Sequence, residues 1–260
     1  MSKIKNVVKV MNFHALLRID AAKKRADKYF MIDHEIQQMI GTILNNVNFI
    51  LDKKVFLPDY SKPILTIYFG SDYGFCSNYN SQVADLIKAD HQSMKVIFGK
   101  KMPKYSDNVI LQVSKESFDN DESILMDIIE KGIKNSEYSQ INVVYNKYNS
   151  LTDIHIEKKN IYPIEVSSDV GTNFYEDFMY EGDINDILNN LLELYLEYQI
   201  KICNVNTTAA ENILRQNSTS DSLKKMDERE EIELRATRKA KRSKEFGKVI
   251  ETFSKQRAHR

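Results

Sequence analysis

Cys76 is the residue of this sequence whose type and setting most suggest chemistry. It stands in "GSDYGFCSNYN", residues 70–80, between the apolar run "ILTIYF" and "SQVADLIKADH". Gly70 and Gly74 mark a strand-to-helix turn that also carries the Asp72 carboxyl, the Ser71 hydroxyl and the Asn80 amide. Three uses suit such a stretch: a phosphate cradle, a cysteine nucleophile, or a tight structural turn. A phosphate loop of the Gly-Lys-Ser/Thr type needs an ammonium beside its backbone amides, and residues 70–80 contain neither Lys nor Arg. The dinucleotide pattern needs three glycines spaced GxGxxG, which the stretch lacks. A cysteine nucleophile needs a base within hydrogen-bond reach, and the nearest histidine along the chain is His91. His14, His34, His91, His155 and His259 form no ligand-spaced pair, and Cys76 and Cys203 form no CxxC, so no metal centre is legible. A structural βα turn holding a small buried thiol is the reading that these residues support best.

The elements around the turn follow from periodicity. "ILTIYF" (64–69), "MKVIFG" (94–99), "VILQV" (109–113) and "INVVYN" (141–146) are short β-branched or aromatic runs, expected to be strands. "SQVADLIKAD" (81–90) and "DESILMDIIEKGIKN" (121–135) read as the helices between them. "TDIHIEKKNIYPI" (152–164) reads as a further strand, placed at a sheet edge because Pro163 interrupts it. Alternating strands and helices imply an α/β domain with a largely parallel sheet.

Both ends of the chain read differently. Residues 1–57 hold one Gly and no Pro, and 183–260 hold only Gly247 and no Pro. Ile4, Val8, Met11, Ala15, Ala22, Ala26, Tyr29, Ile36, Ile40, Ile43, Val47 and Ile50 form one helical stripe. Ile184, Leu188, Leu191, Tyr195, Tyr198, Ile202, Val205, Ala209 and Ile213 form another, with Gly182 and Asp183 as its cap. Two narrow stripes imply two long helices paired as an antiparallel coiled coil. Past Ile213 the sequence turns polar. Two readings stand there: a disordered tail, or a helix whose apolar neighbours another protein supplies. The expected organisation is thus an N-terminal shaft helix (1–57), a Rossmann-like α/β domain (58–182) and a C-terminal shaft helix (183–260).

Composition narrows the class. Lys plus Arg and Asp plus Glu number 37 each, so bulk charge favours neither nucleic acid nor an anionic membrane as partner. Two cysteines make no disulfide framework, which points to an intracellular chain. The opening "MSKIKNVVKVMNFHALLRID" lacks the apolar core of a secretion signal, and no run reaches the roughly 20 apolar residues of a membrane span.

The turn also carries a resemblance. "SDYGFCSNYN" (71–80) is similar to the "SDRGLCGGLN" turn of gamma subunits of F-type ATP synthases, matching at Ser71, Asp72, Gly74, Cys76 and Asn80. "RKAKR" (238–242) resembles that family's "NKARQ" through Lys239 and Ala240, and an ungapped run back places Glu211 and Arg215 on its Glu…Arg pair. "DAAKKRADKY" (20–29) resembles its small-and-basic "AASKMRKAQ". The chain departs from the family in four places. Tyr73 replaces an arginine, Ser77-Asn78 replaces a glycine pair, "RQNSTSDSLK" replaces a small apolar stretch, and "NFHALLRI" stands near the usual "QKITKAM".

The resemblance implies a non-catalytic rotor shaft with no cofactor of its own. Its implied partners are the alpha and beta subunits of an ATPase hexamer, an epsilon-like subunit, and a membrane ring or another output element. It implies a place in the cytoplasm, peripheral on the inner face of the cell membrane through the complex. Candidate partner contacts are Glu211, Arg215, Arg238, Lys239, Lys241 and Arg242. A variant gamma-like motor driving cell-surface machinery or motility is the alternative. Two other classes remain in play: an RNA-binding protein with "RATRKAKRSK" as its arm, and an α/β enzyme using Asp72 and Cys76.

Overall fold

The computed structural model describes residues 2–45, 59–120, 123–134, 137–150, 153–164 and 181–258. The chain forms two compact units, one of His14–Arg215 and one combining Met1–Phe13 with Gln216–Arg260. Two helices run through both units: α1 (Ser2–Asn45) and α5 (Ile184–Ala258).

The larger unit is built on five strands: β1 (Ile64–Phe69), β2 (Met94–Phe98), β3 (Val109–Val113), β4 (Gln140–Tyr148) and β5 (Ile154–Tyr162). Their order is β3-β2-β1-β4-β5. The first four are parallel, and β5 returns antiparallel to β4 at the edge, where Pro163 had placed it. Three helices join them: α2 (Tyr79–Ala89), α3 (Lys115–Asn120) and α4 (Ser123–Lys134). The six-residue α3 has no sequence periodicity long enough to announce it.

Side chains alternate across the sheet, so each strand must find cover on both faces. Leu65, Ile67 and Phe69 pack with Ile36, Ile40 and Ile43 of α1, Leu125 and Ile129 of α4, and Leu188, Leu191 and Leu196 of α5. Tyr68, Ile97 and Val144 face the other way, onto Val83, Ala84 and Ile87 of α2. Each such aliphatic side chain contributes about 1.5–3 kcal/mol by leaving water.

Within this unit α1 and α5 run antiparallel. Ala22 packs with Val205 and Ala209, and further along α1 Tyr29 meets Tyr198 edge-on at 5.8 Å. Val205 and Ile213 are buried as the stripe predicts. The expected narrow stripe is too narrow here, however. Between Gln199 and Arg215 nearly every α5 residue is covered, Asn204, Asn206, Thr207, Glu211, Asn212 and Arg215 included, because the helix lies between α1 and the sheet. Asp183 accepts the Asn185 N–H at 2.7 Å and caps α5 as expected.

In the smaller unit the same helices pair antiparallel through polar contacts. Asn12 donates to the Thr219 hydroxyl at 2.9 Å, and Lys5 bridges Asp227 and Glu230 at 2.5 Å each. Met11 is half-buried, while Ile4 is exposed, against the expected stripe. Val47, Ile50 and the boundary near residue 57 lie outside the described residues. The polar tail is helical to Ala258, and its side chains from Glu231 to Ile250 are exposed.

Candidate functional site

The turn after β1 gathers its polar groups inward. Ser71 is fully buried; its N–H donates to Asn80 Oδ1 at 3.0 Å, and Asn80 Nδ2 donates to Ser71 Oγ at 2.7 Å. Asn80 therefore ties the first turn of α2 back to the end of β1. The Tyr79 hydroxyl donates to the Phe69 carbonyl at the same junction.

Asp72 works at longer range. Its Oδ1 accepts the Lys100 N–H at 2.7 Å and the Lys115 N–H at 3.0 Å, and its Oδ2 accepts the Glu116 N–H at 3.0 Å. Asp72 thus satisfies the first amides of α3 from 43 residues away along the chain. The sequence places Asp72 in the turn; that it caps a helix, and which one, is decided by the fold.

A glycine in a turn of this kind is expected to hold a backbone that a Cβ would strain, and Gly74 departs from that expectation. It has no positive φ, and a Cβ there would meet nothing within 4 Å. The left-handed residues of the turn are Phe75 (φ 66°) and Ser77 (φ 53°). Ser77 occupies the first position of the family's glycine pair, where a residue without Cβ adopts this backbone freely. Glycine is required instead at Gly99 (φ 131°), where a Cβ would lie 2.9 Å from the Gly70 carbonyl carbon.

Cys76 is buried, and burial pushes its thiol pKa up, reinforced by the nearby Glu211 carboxylate. Its sulfur contacts the Tyr73 and Gly74 carbonyls and accepts Arg215 Nη2 at 3.2 Å. No histidine is among its hydrogen-bond partners in the described residues, so it lacks the base that a nucleophile needs.

Glu211 and Arg215, one turn apart on α5, face this turn from inside the same unit. Glu211 Oε1 lies 3.1 Å from Lys115 Nζ and its Oε2 lies 3.9 Å from Arg215 Nη2. Burial raises the Glu211 pKa, and the Lys115 and Arg215 charges oppose that rise. Arg215 donates Nε to the Gly74 carbonyl at 3.2 Å and Nη1 to Asn212 Oδ1 at 2.8 Å. One turn earlier, Thr207 Oγ1 accepts the Asn146 N–H at 3.3 Å, at the C-terminal end of β4.

This placement has a chemical consequence. In open α/β sheets ligands enter the crevice at the carboxyl ends of the strands, where the strand order reverses. Here that point lies between β1 and β4, and α5 occupies it with Thr207, Glu211 and Arg215. Among the described residues, a cleft of about 450 Å³ is lined by Arg18 and Arg25 of α1, Tyr73 and residues of α5. Among the described residues no cluster of His, Cys, Asp or Glu could hold a metal ion.

The structure therefore joins Ser71, Asp72, Gly74, Cys76, Asn80, Glu211 and Arg215 in one network. Arg238, Lys239, Lys241 and Arg242 belong to the other unit, exposed on α5. Sequence reading missed Lys115 and Arg18. Both are ordinary cations in a chain rich in them, and only tertiary contact singles them out.

The ATP synthase family pattern matches residues 1–253. An ATP synthase gamma chain of Mycoplasma mycoides is 26% identical over 207 residues, covering 74% of this chain and 72% of that one. The gamma chain of Mycoplasma mobile is 25% identical over 272 aligned positions, covering 96% of this chain and 95% of its own. Among solved structures, a chain from the central stalk and c-ring of the Tetrahymena thermophila mitochondrial ATP synthase matches with a TM-score of 0.57 and 15% identity. That match covers 83% of this chain and 99% of the other, and shows a shared fold. Its relatives in these comparisons are gamma chains, and with a family match that takes in both long helices as well as the α/β domain, the chain belongs to the ATP synthase family.

Proposed function

We propose that this chain is the central rotor shaft of an F-type rotary ATPase, coupling ATP hydrolysis or synthesis in an alpha/beta hexamer to rotation. The single observation that carries the reading is the extent of the family match, residues 1–253, which includes both helices and not the α/β domain alone. Residues 1–57 and 183–260 act as the shaft, and 58–182 as the domain that passes rotation onward. A shaft touching three like beta subunits differently biases each toward a different state through its differential contact energy.

Catalytic groups, cofactors and metals belong to the hexamer in this reading. Exposed Arg238, Lys239, Lys241 and Arg242 meet acidic surface on the hexamer, while Glu211 and Arg215 brace the turn of Ser71, Asp72, Gly74, Cys76 and Asn80 from within. An epsilon-like subunit and a membrane ring, or another output element, receive the rotation; nucleic acid is not a partner. The chain reaches the inner face of the cell membrane through its complex, and no helix of the described residues is long and apolar enough to cross a membrane.

The test is isolation of the native complex through an affinity tag on this chain, followed by subunit identification. Alpha and beta ATPase subunits at three copies each per shaft are expected for the family's hexamer. Recovery of the chain without ATPase subunits would overturn the reading.

A further inference from the structure

Tyr73 stands where the gamma family has an arginine, and in this chain it is the shared neighbour of two arginines. The guanidinium carbon of Arg18, on α1, lies 5.8 Å from the ring centroid, and that of Arg215, on α5, lies 5.7 Å from it. The residues after Tyr73 close on Arg215 from other directions, through the Gly74 carbonyl and the Cys76 sulfur, each at 3.2 Å. Arg215 is 5% exposed although Tyr73 itself is 50% exposed. Two guanidiniums near one another repel. Glu211 offsets part of that charge at 3.9 Å, and the negative face of an aromatic ring offsets more. An arginine at position 73 would add a third cation to the group instead of a ring.

We propose that Tyr73 is a positioning residue: its ring grips α1 through Arg18 and α5 through Arg215, fastening both helices to the turn that leaves β1. Its mechanical consequence rests on the rotor reading above: the ring adds to the apolar core that already seats α1 and α5 on the sheet, and tightens the phase between the helices and the α/β domain at the turn. The clamp itself rests only on the contacts within this unit.

Thiol labelling of the full chain tests the clamp. Arg215 covers Cys76, whereas Cys203 is fully buried on the same helix and serves as the reference for general opening. Tyr73→Leu removes the aromatic face and is expected to speed modification of Cys76 by N-ethylmaleimide about three- to tenfold, with Cys203 unchanged. Tyr73→Phe keeps the ring and is expected to label at the wild-type rate. Equal Cys76 rates in the two variants overturn the clamp, and so does a parallel rise at both cysteines, which marks general loosening.

Phase-locking is tested in the assembled ATPase by following a bead attached to the α/β domain. Tyr73→Leu is expected to broaden the bead's angular distribution at each dwell relative to Tyr73→Phe. Unchanged width alongside faster Cys76 labelling overturns phase-locking. Absence of the wild-type chain from any ATPase complex overturns the rotor reading and phase-locking together, while the labelling comparison still decides the clamp.

Discussion

The Lys115 ammonium sits 3.1 Å from the Glu211 carboxylate, with 8% and 6% of the two side chains exposed, and the pair joins α3 to α5. Ninety-six residues separate the partners, so their contact exists only in the folded unit. A buried pair of this kind is costly to break from one side, because the remaining charge keeps its desolvation cost without its partner. Glu211→Leu is expected to destabilise the chain by about 3–5 kcal/mol in urea unfolding. Lys115→Met combined with Glu211→Leu should recover much of that loss, although Arg215 still loses its neighbour. A double variant no more stable than the single one would show that the pair is not the relevant unit.

The glycines of the β1 and β2 turns separate cleanly by position. Gly74→Ala is expected to change stability by no more than about 0.5 kcal/mol, since open space surrounds the added methyl. Gly99→Ala should cost more, of order 1–3 kcal/mol, through its positive φ and the backbone of Gly70 and Ser71 against the new Cβ. Ser77→Gly relieves a left-handed serine and is expected to stabilise by up to about 1 kcal/mol. Thermal unfolding of the three full-length variants ranks them. Gly74→Ala proving worse than Gly99→Ala would contradict the backbone geometry.

Asp33 gives the helix pair a pH dependence. Its carboxylate is buried between α1 and α5, where it accepts Gln199 Nε2 and, at 2.8 Å, Gln37 Nε2. Burial raises its pKa above the usual 3.8, with the Lys159 charge and the two amide bonds opposing the rise. A carboxyl whose folded pKa is raised binds its proton more tightly in the native state. Its contribution to stability is therefore fully present below the unfolded value and declines as pH rises through the folded one. Asp33→Asn is expected to remove that decline, so stability of wild type relative to the variant should fall as pH climbs from about 4. Parallel pH curves for the two proteins would show that Asp33 does not titrate differently on folding.

In the rotor reading proposed above, the exposed cations of α5 serve partners rather than the fold. Changing Arg238, Lys239, Lys241 and Arg242 together to Ala should leave melting of the isolated chain nearly unchanged, because each is exposed. ATP turnover of the reconstituted complex should fall, and more steeply at low salt, where surface charges attract over longer distances. Full turnover at every salt concentration would remove these residues from the interface.

Cys76→Ser is expected to leave turnover and assembly near wild type, since the sulfur serves as a small buried group facing carbonyls and Arg215. Complete loss of turnover with unchanged melting would assign the thiol a chemical role.

The sequence alone determined the elements whose signal is local. Strand runs such as "ILTIYF", the period of the two helical stripes and the scarcity of Gly and Pro at both ends were sufficient to mark an α/β domain between long helices. The turn motif was enough to mark Ser71, Asp72, Cys76 and Asn80 as a unit. Tertiary structure decided what those residues touch. Asp72 caps a helix whose six residues carry no periodic signal, and Lys115 matters because the chain folds it against Glu211. Even the width of the α5 stripe was settled there. Asn204, Thr207 and Asn212 are polar by type, and they are buried because the helix is enclosed by both α1 and the sheet. Periodicity records a preference of one chain segment for water or core; only the assembled fold determines how many sides of that segment another element covers.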